Sequence, residues 1–203
     1  MRVAVLDAET DFDGWRQAAR AFRLAGVAPG EAAFRVKDTA GGLFDSTLPE
    51  PVEGAGFSAP RAFVDLAREV ILHRSPDRFD LMYRLLWRLQ DEPDLMNVVS
   101  DRDMVDALDR AKNVSRASHK MKAFVRFRQV VDDHGEAWVA WFEPAHRVLE
   151  KTAPFFMRRY TSMRWSILTP DGAAGDLAVM ISFADGRAGF RSALPRVAHA
   201  LFT

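Results

Sequence analysis

Apolar positions along the chain switch between two periods, and the switches mark the elements. Arg2–Leu6 is a short apolar run of strand length. Thr10, with Asp11 and Asp13 after it, supplies a hydroxyl cap and acidic first-turn residues, a helix start. Trp15, Ala18, Ala19, Phe22 and Ala25 then recur at helical spacing as far as Gly26, with Pro29 beyond. Ala33–Val36 is a second strand, and the crossover between the two strands is long enough for a parallel pair. Residues 38–58, rich in Gly, Pro, Asp, Glu and Ser, are expected to form a flexible surface loop.

From Pro60 the period is helical. Phe63, Leu66, Ala67, Val70 and Ile71 make one face, and Leu81, Leu85, Leu86 and Leu89 make the next. A third helix begins near Ser100, with Met104, Val105, Leu108, Ala111, Val114, Ala117 and Met121 on one stripe. Phe124–Val131 and Ala137–Phe142 alternate on either side of Asp132–Gly135, which predicts a β-hairpin. Phe124, Arg126, Arg128 and Val130 would then share one face of its first strand. Glu143-Pro144 reads as a helix opening, Pro154 as a break, Met163–Leu168 and Leu177–Phe183 as strands, and Ala188–Phe202 as a terminal helix interrupted near Pro195. The sum is an α+β fold: a small mixed β-sheet, built from the N-terminal strands, the hairpin and the Arg164 strand, packed by several helices. Residues 1–203 are expected to form one domain.

Composition narrows the chemistry. Apolar residues are 48% and charged residues 28% of 203, and there is no cysteine. That excludes a disulfide scaffold, a thiol nucleophile and cysteine-held zinc or iron–sulfur centres. No apolar run approaches membrane-spanning length and the first residues lack a signal-peptide pattern, so no membrane partner and a cytoplasmic location are expected. Phosphate-binding, dinucleotide, nucleophile-elbow and paired-His zinc motifs are also missing, which argues against an NTPase, a nicotinamide enzyme or a serine hydrolase. Neither a cofactor nor a metal is expected.

The formal charge is zero, 28 basic against 28 acidic, but residues 1–109 hold 13 basic and 20 acidic side chains while 110–203 hold 15 and 8. Arg110–Arg128 contains seven Lys/Arg and no acid. Lys112, Arg116 and Lys120 stack at i, i+4 and i+8, with His119 and Lys122 beside them, and like charges at that spacing repel. With Arg126 and Arg128 these residues form a candidate phosphate-binding face. Arg158, Arg159, Arg164 and Trp165 are candidates to extend it, and Phe124, Phe127, Trp138 and Trp141 to stack on unpaired bases. Two alternatives stand beside a DNA-binding function. One is an enzyme acting on a nucleic acid base or nucleotide through His119, Glu143 and His146, with Glu150 on the same helix face. The other is a module whose basic face docks an acidic protein.

Four ordered motifs, SHKMKAFVRFR at Ser118–Arg128, WFEPAH at Trp141–His146, APFFMRR at Ala153–Arg159 and MRWSILTPD at Met163–Asp171, resemble the uncharacterised "probable DNA metabolism protein" family. Pro60–Phe63 and Tyr83–Leu89 are similar to its glycosylase-fused branch, and the resemblance is drawn over residues 1–171. It implies a domain of unknown function that accompanies a uracil-DNA glycosylase or a radical S-adenosylmethionine protein in DNA repair. Ala145 stands where the family has Glu before the His, and Gly172–Asp176 replaces a His-Trp-Asp segment. Without cysteines no iron–sulfur glycosylase is encoded here, so the expectation is a lone accessory domain or a piece separated from its enzyme.

Overall fold

A computed structural model describes residues 1–37, 48–49, 56–132, 135–170, 178–184 and 187–193. Apart from 48–49 and 56–58, the expected loop at 38–58 lies outside these, as do the tip of the hairpin turn at 133–134 and residues 194–203. Backbone contacts divide the chain into two compact units, Met1–Val114 and Ser115–Thr203. The fold is α+β, as expected, but it has two sheets where the sequence suggested one: a parallel pair in the first unit and five mixed strands in the second.

In the first unit, strands β1 (Arg2–Leu6) and β2 (Ala32–Val36) pair in parallel, with Ala4 opposite Phe34, across helix α1 (Phe12–Leu24). The α1 cap is Asp11 rather than Thr10, because the Asp11 carboxylate reaches the Gly14 amide at 2.8 Å. At the other end Gly26 takes a φ of 70°, so that Gly26 and Val27 donate to the Arg23 and Phe22 carbonyls at 3.2 and 2.9 Å. Helices α2 (Arg61–Val70) and α3 (Arg78–Arg88) complete the layer over the pair. The core is aromatic. Phe34 meets Phe22 and Tyr83 edge-on at 5.6 Å each, and the Tyr83 hydroxyl donates to the Val27 carbonyl at 2.6 Å.

Helix α4 (Arg102–Phe124) follows a turn at Leu95–Asn97. Asp101 caps it by accepting the Met104 amide at 3.0 Å. Its buried positions are Met104, Ala107, Val114, Ala117, Ser118, Met121 and then Val125, with the half-buried Ala111 bridging Ala107 and Val114, so that they fall on one helical stripe. Val105 and Leu108 were expected on this stripe. Both are 49% exposed, because Ala107 takes the inward position between Met104 and Ala111.

The second unit contains strands β3 (Arg128–Asp132), β4 (Gly135–Trp141), β5 (Trp165–Thr169), β6 (Ala178–Ala184) and β7 (Arg187–Ala193) in spatial order β3-β4-β5-β6-β7. β4 and β5 are parallel and joined through helix α5 (Leu149–Arg159); the other neighbours are antiparallel. Trp165 anchors one sheet face, stacked on Phe183 at 5.5 Å and edge-on to Phe156 of α5 at 6.2 Å.

Four boundaries differ from the sequence reading. The hairpin's first strand starts at Arg128, not Phe124. Residues 121 and 125 are both buried one helical turn apart, and the Val125 amide still donates to Met121. Glu143-Pro144 opens no helix, since the Phe142 amide continues sheet pairing by donating to Leu168 at 3.0 Å and helical bonding begins only with Thr152 to Val148. Pro154 sits inside α5 without breaking it, where its ring removes a single helical donor. Residues 187–193 are strand rather than helix, pairing with β6 and satisfying that strand's outer backbone groups.

Candidate nucleic-acid interface

The α4 helix places the candidate cations by simple periodicity. At about 100° per residue, Lys112, Arg116 and His119 fall opposite the buried Val114, Ala117 and Met121, with Lys120 to one side, and all four are exposed. Lys112, Arg116, Lys120 and Phe124 follow one another at four-residue steps, forming a single ridge. Among the described residues none of Lys112, Arg116 and Lys120 makes an ion pair.

The other arginines around α4 are treated differently. Arg110 forks between Asp77 (2.9 Å) and Asp106 (2.7 Å), Arg88 binds Asp101 at 2.7 Å and Glu92 at 2.9 Å, and Arg84 binds Asp103 at 2.9 Å. The Arg110 guanidinium holds the Asp77 carboxyl below the usual carboxylate range. The acid-free run of the sequence therefore begins with a neutralised arginine, and Lys112, Arg116 and Lys120 follow it without an ion pair among the described residues.

The remaining candidates divide by what their side chains touch. Lys122 is half-buried with its ammonium 5.9 Å from the Phe155 ring centre. Arg126 donates to the Ala123 and Val125 carbonyls at 2.8 and 3.0 Å, capping the end of α4. Arg164 donates to the Gly135 and Glu136 carbonyls at 2.9 and 3.3 Å, and Arg159 lies 5.8 Å from the Tyr160 ring. Arg128 is exposed at the start of β3 and engaged in an interaction of its own, while Arg158 is exposed near the end of α5. Trp165 cannot meet a ligand: it is 1% exposed, its indole donates to the Tyr160 carbonyl at 3.2 Å, and Phe183 covers its face. Phe127 is packed against Tyr160 and Trp165, and Trp138 and Trp141 are half-buried.

The acid–base constellation is not assembled as a helix face. Glu143 and His146 lie in the connection between β4 and α5, and only Glu150 is helical. The Glu143 carboxylate accepts the Trp141 indole N–H at 2.9 Å. Desolvation raises the Glu150 carboxyl, although the residue as a whole is exposed. His119 is on α4's outer side. Among the described residues no group of three His, Asp or Glu is placed to hold a metal ion. A cavity of about 290 Å³ in the first unit, lined by Phe12, Trp15, Arg16, Arg20 and Phe63 among others, includes none of these three residues.

One polar cluster had no signal in the sequence beyond a helix break at Ser75-Pro76. Ser75 Oγ lies 2.9 Å from His73 Nδ1 and accepts from Arg110 at 2.7 Å. Burial, and then the Arg110 charge, lower the His73 pKa.

Fold and surface together define a two-unit α+β protein in which a helix with an uncompensated cationic ridge leads into a five-stranded mixed sheet. The chain belongs to a family described as a domain of unknown function, DUF4130, whose model matches residues 76–192. The match runs from α3 through β7, extending past Asp171 and leaving out β1, α1, β2 and α2. No curated protein and no solved structure matches the chain. Among the described residues no helix is long and apolar enough to cross a membrane.

Proposed function

We propose that this chain is a nucleic-acid-binding accessory domain of DNA metabolism, which grips the phosphate backbone through the outer side of α4. The observation that carries this reading is the contrast along one helix. Arg110 binds two carboxylates, whereas Lys112, Arg116 and Lys120 are exposed and without an ion pair among the described residues. Cations stacked four residues apart repel one another, and an anionic ligand relieves the repulsion while releasing condensed counterions. The association with repair, through a uracil-DNA glycosylase or a radical S-adenosylmethionine partner in the cytoplasm, rests on the family resemblance of the four motifs.

The test is fluorescence anisotropy with labelled DNA across a salt series. With three contacts, the log–log slope of affinity against salt is expected at about −2.1 to −2.7, or roughly 20- to 40-fold weaker binding on raising salt fourfold. The double variant R116E/K120E is expected to bind every DNA sequence more weakly and with a shallower slope. Unchanged binding by that variant would remove the phosphate assignment.

A further inference from the structure

We infer that the end of α4 is a stacking site for an unpaired nucleobase, so that the ligand is single-stranded nucleic acid; this rests on the phosphate-binding reading above. The argument starts from Phe124. It is 61% exposed, and among the aromatics whose side chains are described no other is exposed. Every other aromatic whose side chain is described is buried or half-buried, most of them in one of two ring clusters. The Phe124 ring makes no ring contact with any described residue.

Position supplies the second observation. Phe124 follows Arg116 and Lys120 at four-residue steps on the same ridge of α4, all three within the second unit. Residues at that spacing are surface neighbours, so the exposed ring adjoins Lys120, and Arg116 stands one turn further along the ridge. Proteins that bind single strands combine those two elements: a cationic track for the phosphates and an aromatic platform for a base. A duplex keeps its bases stacked on one another and offers no free face to such a ring. Arg126 reinforces the placement. Its guanidinium is held against the Ala123 and Val125 carbonyls, fixing the last turn of the helix on which Phe124 stands.

The experiment measures anisotropy with labelled oligothymidylate, oligouridylate and a blunt duplex, using the full chain and its variants F124A, F124L, F124W and R116E/K120E. Single strands are expected to bind more tightly than the duplex. F124A is expected to weaken single-strand binding roughly 5- to 150-fold, as loss of one base–aromatic stack does, with duplex binding unchanged. F124W should retain binding, and F124L should behave as F124A, since leucine keeps the apolar surface without the ring. Equal losses with oligothymidylate and oligouridylate would place recognition in base and phosphate; a loss confined to one would assign the site to that strand type. Duplex binding as tight as single-strand binding, or no effect of F124A, overturns the stacking site. In that case weaker binding by R116E/K120E leaves the phosphate reading standing. If the wild-type chain binds none of the three probes, both readings fall. Because Phe124 is exposed, the three Phe124 variants should keep the wild-type melting profile, which circular dichroism checks.

Discussion

Arg78 is 2% exposed, and its guanidinium binds four acceptors on three residues, Glu9 before α1 and Ile71 and Ser75 after α2. Nε donates to the Ile71 carbonyl at 2.8 Å, Nη1 to Ser75 at 3.1 Å, and Nη2 to the Glu9 carbonyl at 2.8 Å and to the Glu9 carboxylate. Its planar face lies 4.1 Å from the Phe79 ring. Replacing Arg78 with Met keeps the apolar stem but takes the guanidinium donors away from three carbonyls and from the half-buried Glu9 carboxylate. Removing one partner of such a pair costs about 3–5 kcal/mol. Near about 4 °C per kcal/mol for a unit of this size, R78M is expected to melt roughly 12–20 °C lower. E9Q removes the charge but leaves the three carbonyl acceptors and an amide oxygen, so its loss should be smaller, about 1–2 kcal/mol. R78K should fall between, since one ammonium cannot span the same fork. Thermal melts report the totals, and hydrogen exchange in peptides from 1–37 and 61–88 assigns the loss to the first unit. A loss below about 1 kcal/mol for R78M, or equal losses for R78M and E9Q, would refute the view that the carbonyl fork, not the ion pair alone, holds these segments.

His73 has a lowered pKa from burial and the nearby Arg110, so the unfolded chain takes up its proton first; stability should fall as pH drops below about 6.5, and urea midpoints of H73Q should lack that slope. Asp77, held low by Arg110, contributes stability that is present above about pH 4 and lost as pH falls through its depressed value; D77N should therefore be less stable at neutral pH, with the difference from wild type closing in acid. Y83F orphans the Val27 carbonyl now bonded at 2.6 Å, and a loss of about 1–2 kcal/mol is expected in urea unfolding. R126M frees the two carbonyls that end α4, and hydrogen exchange at residues 121–125 should accelerate while α5 is unaffected.

The sequence is most informative where one period is unopposed. β1, β2, α2 and α3 lie within a residue or two of where their apolar spacing places them, because no competing pattern exists there. Residues 121–131 satisfy two periods at once. Phe124, Arg126 and Arg128 alternate as a strand would, while Met121 and Val125 are four apart as in a helix, and burial of that second pair decides the boundary. β7 is harder still. Its reason for being a strand is the open side of β6, a partner that local sequence does not display. The candidate site divides similarly. The acid-free cationic run is legible directly, but Arg110 finds its carboxylate 33 residues away, and Arg164 finds its carbonyls 28 and 29 residues away. Exposure of Phe124 against burial of Trp165 likewise depends on which rings fill the sheet face, not on either residue's neighbours in sequence.

Charge order along α4 has a structural explanation that must be subtracted before the ridge is assigned to a ligand. Acids at a helix start and bases at its end are favoured by the helix dipole, and Asp103 in the first turn and Lys122 in the last conform to this. The preference fades beyond the terminal turn, which still includes Lys120 near its edge. It does not reach Lys112 or Arg116, two or more turns from Phe124. Mid-helix acids nearby are accounted for locally, Asp106 by Arg110 and Asp109 by the Asn113 amide at 3.2 Å. Among the mid-helix cations of α4, Lys112 and Arg116 are therefore explained by neither dipole nor ion pair. Charge reversal at Arg116 alone should weaken ligand binding without loss of helix stability, since it replaces two repulsive four-residue pairs by attractive ones, whereas reversal at Lys120 also acts on the helix end. K112E/R116E is consequently the sharper version of the phosphate test, because a loss of binding there cannot be assigned to a frayed helix end.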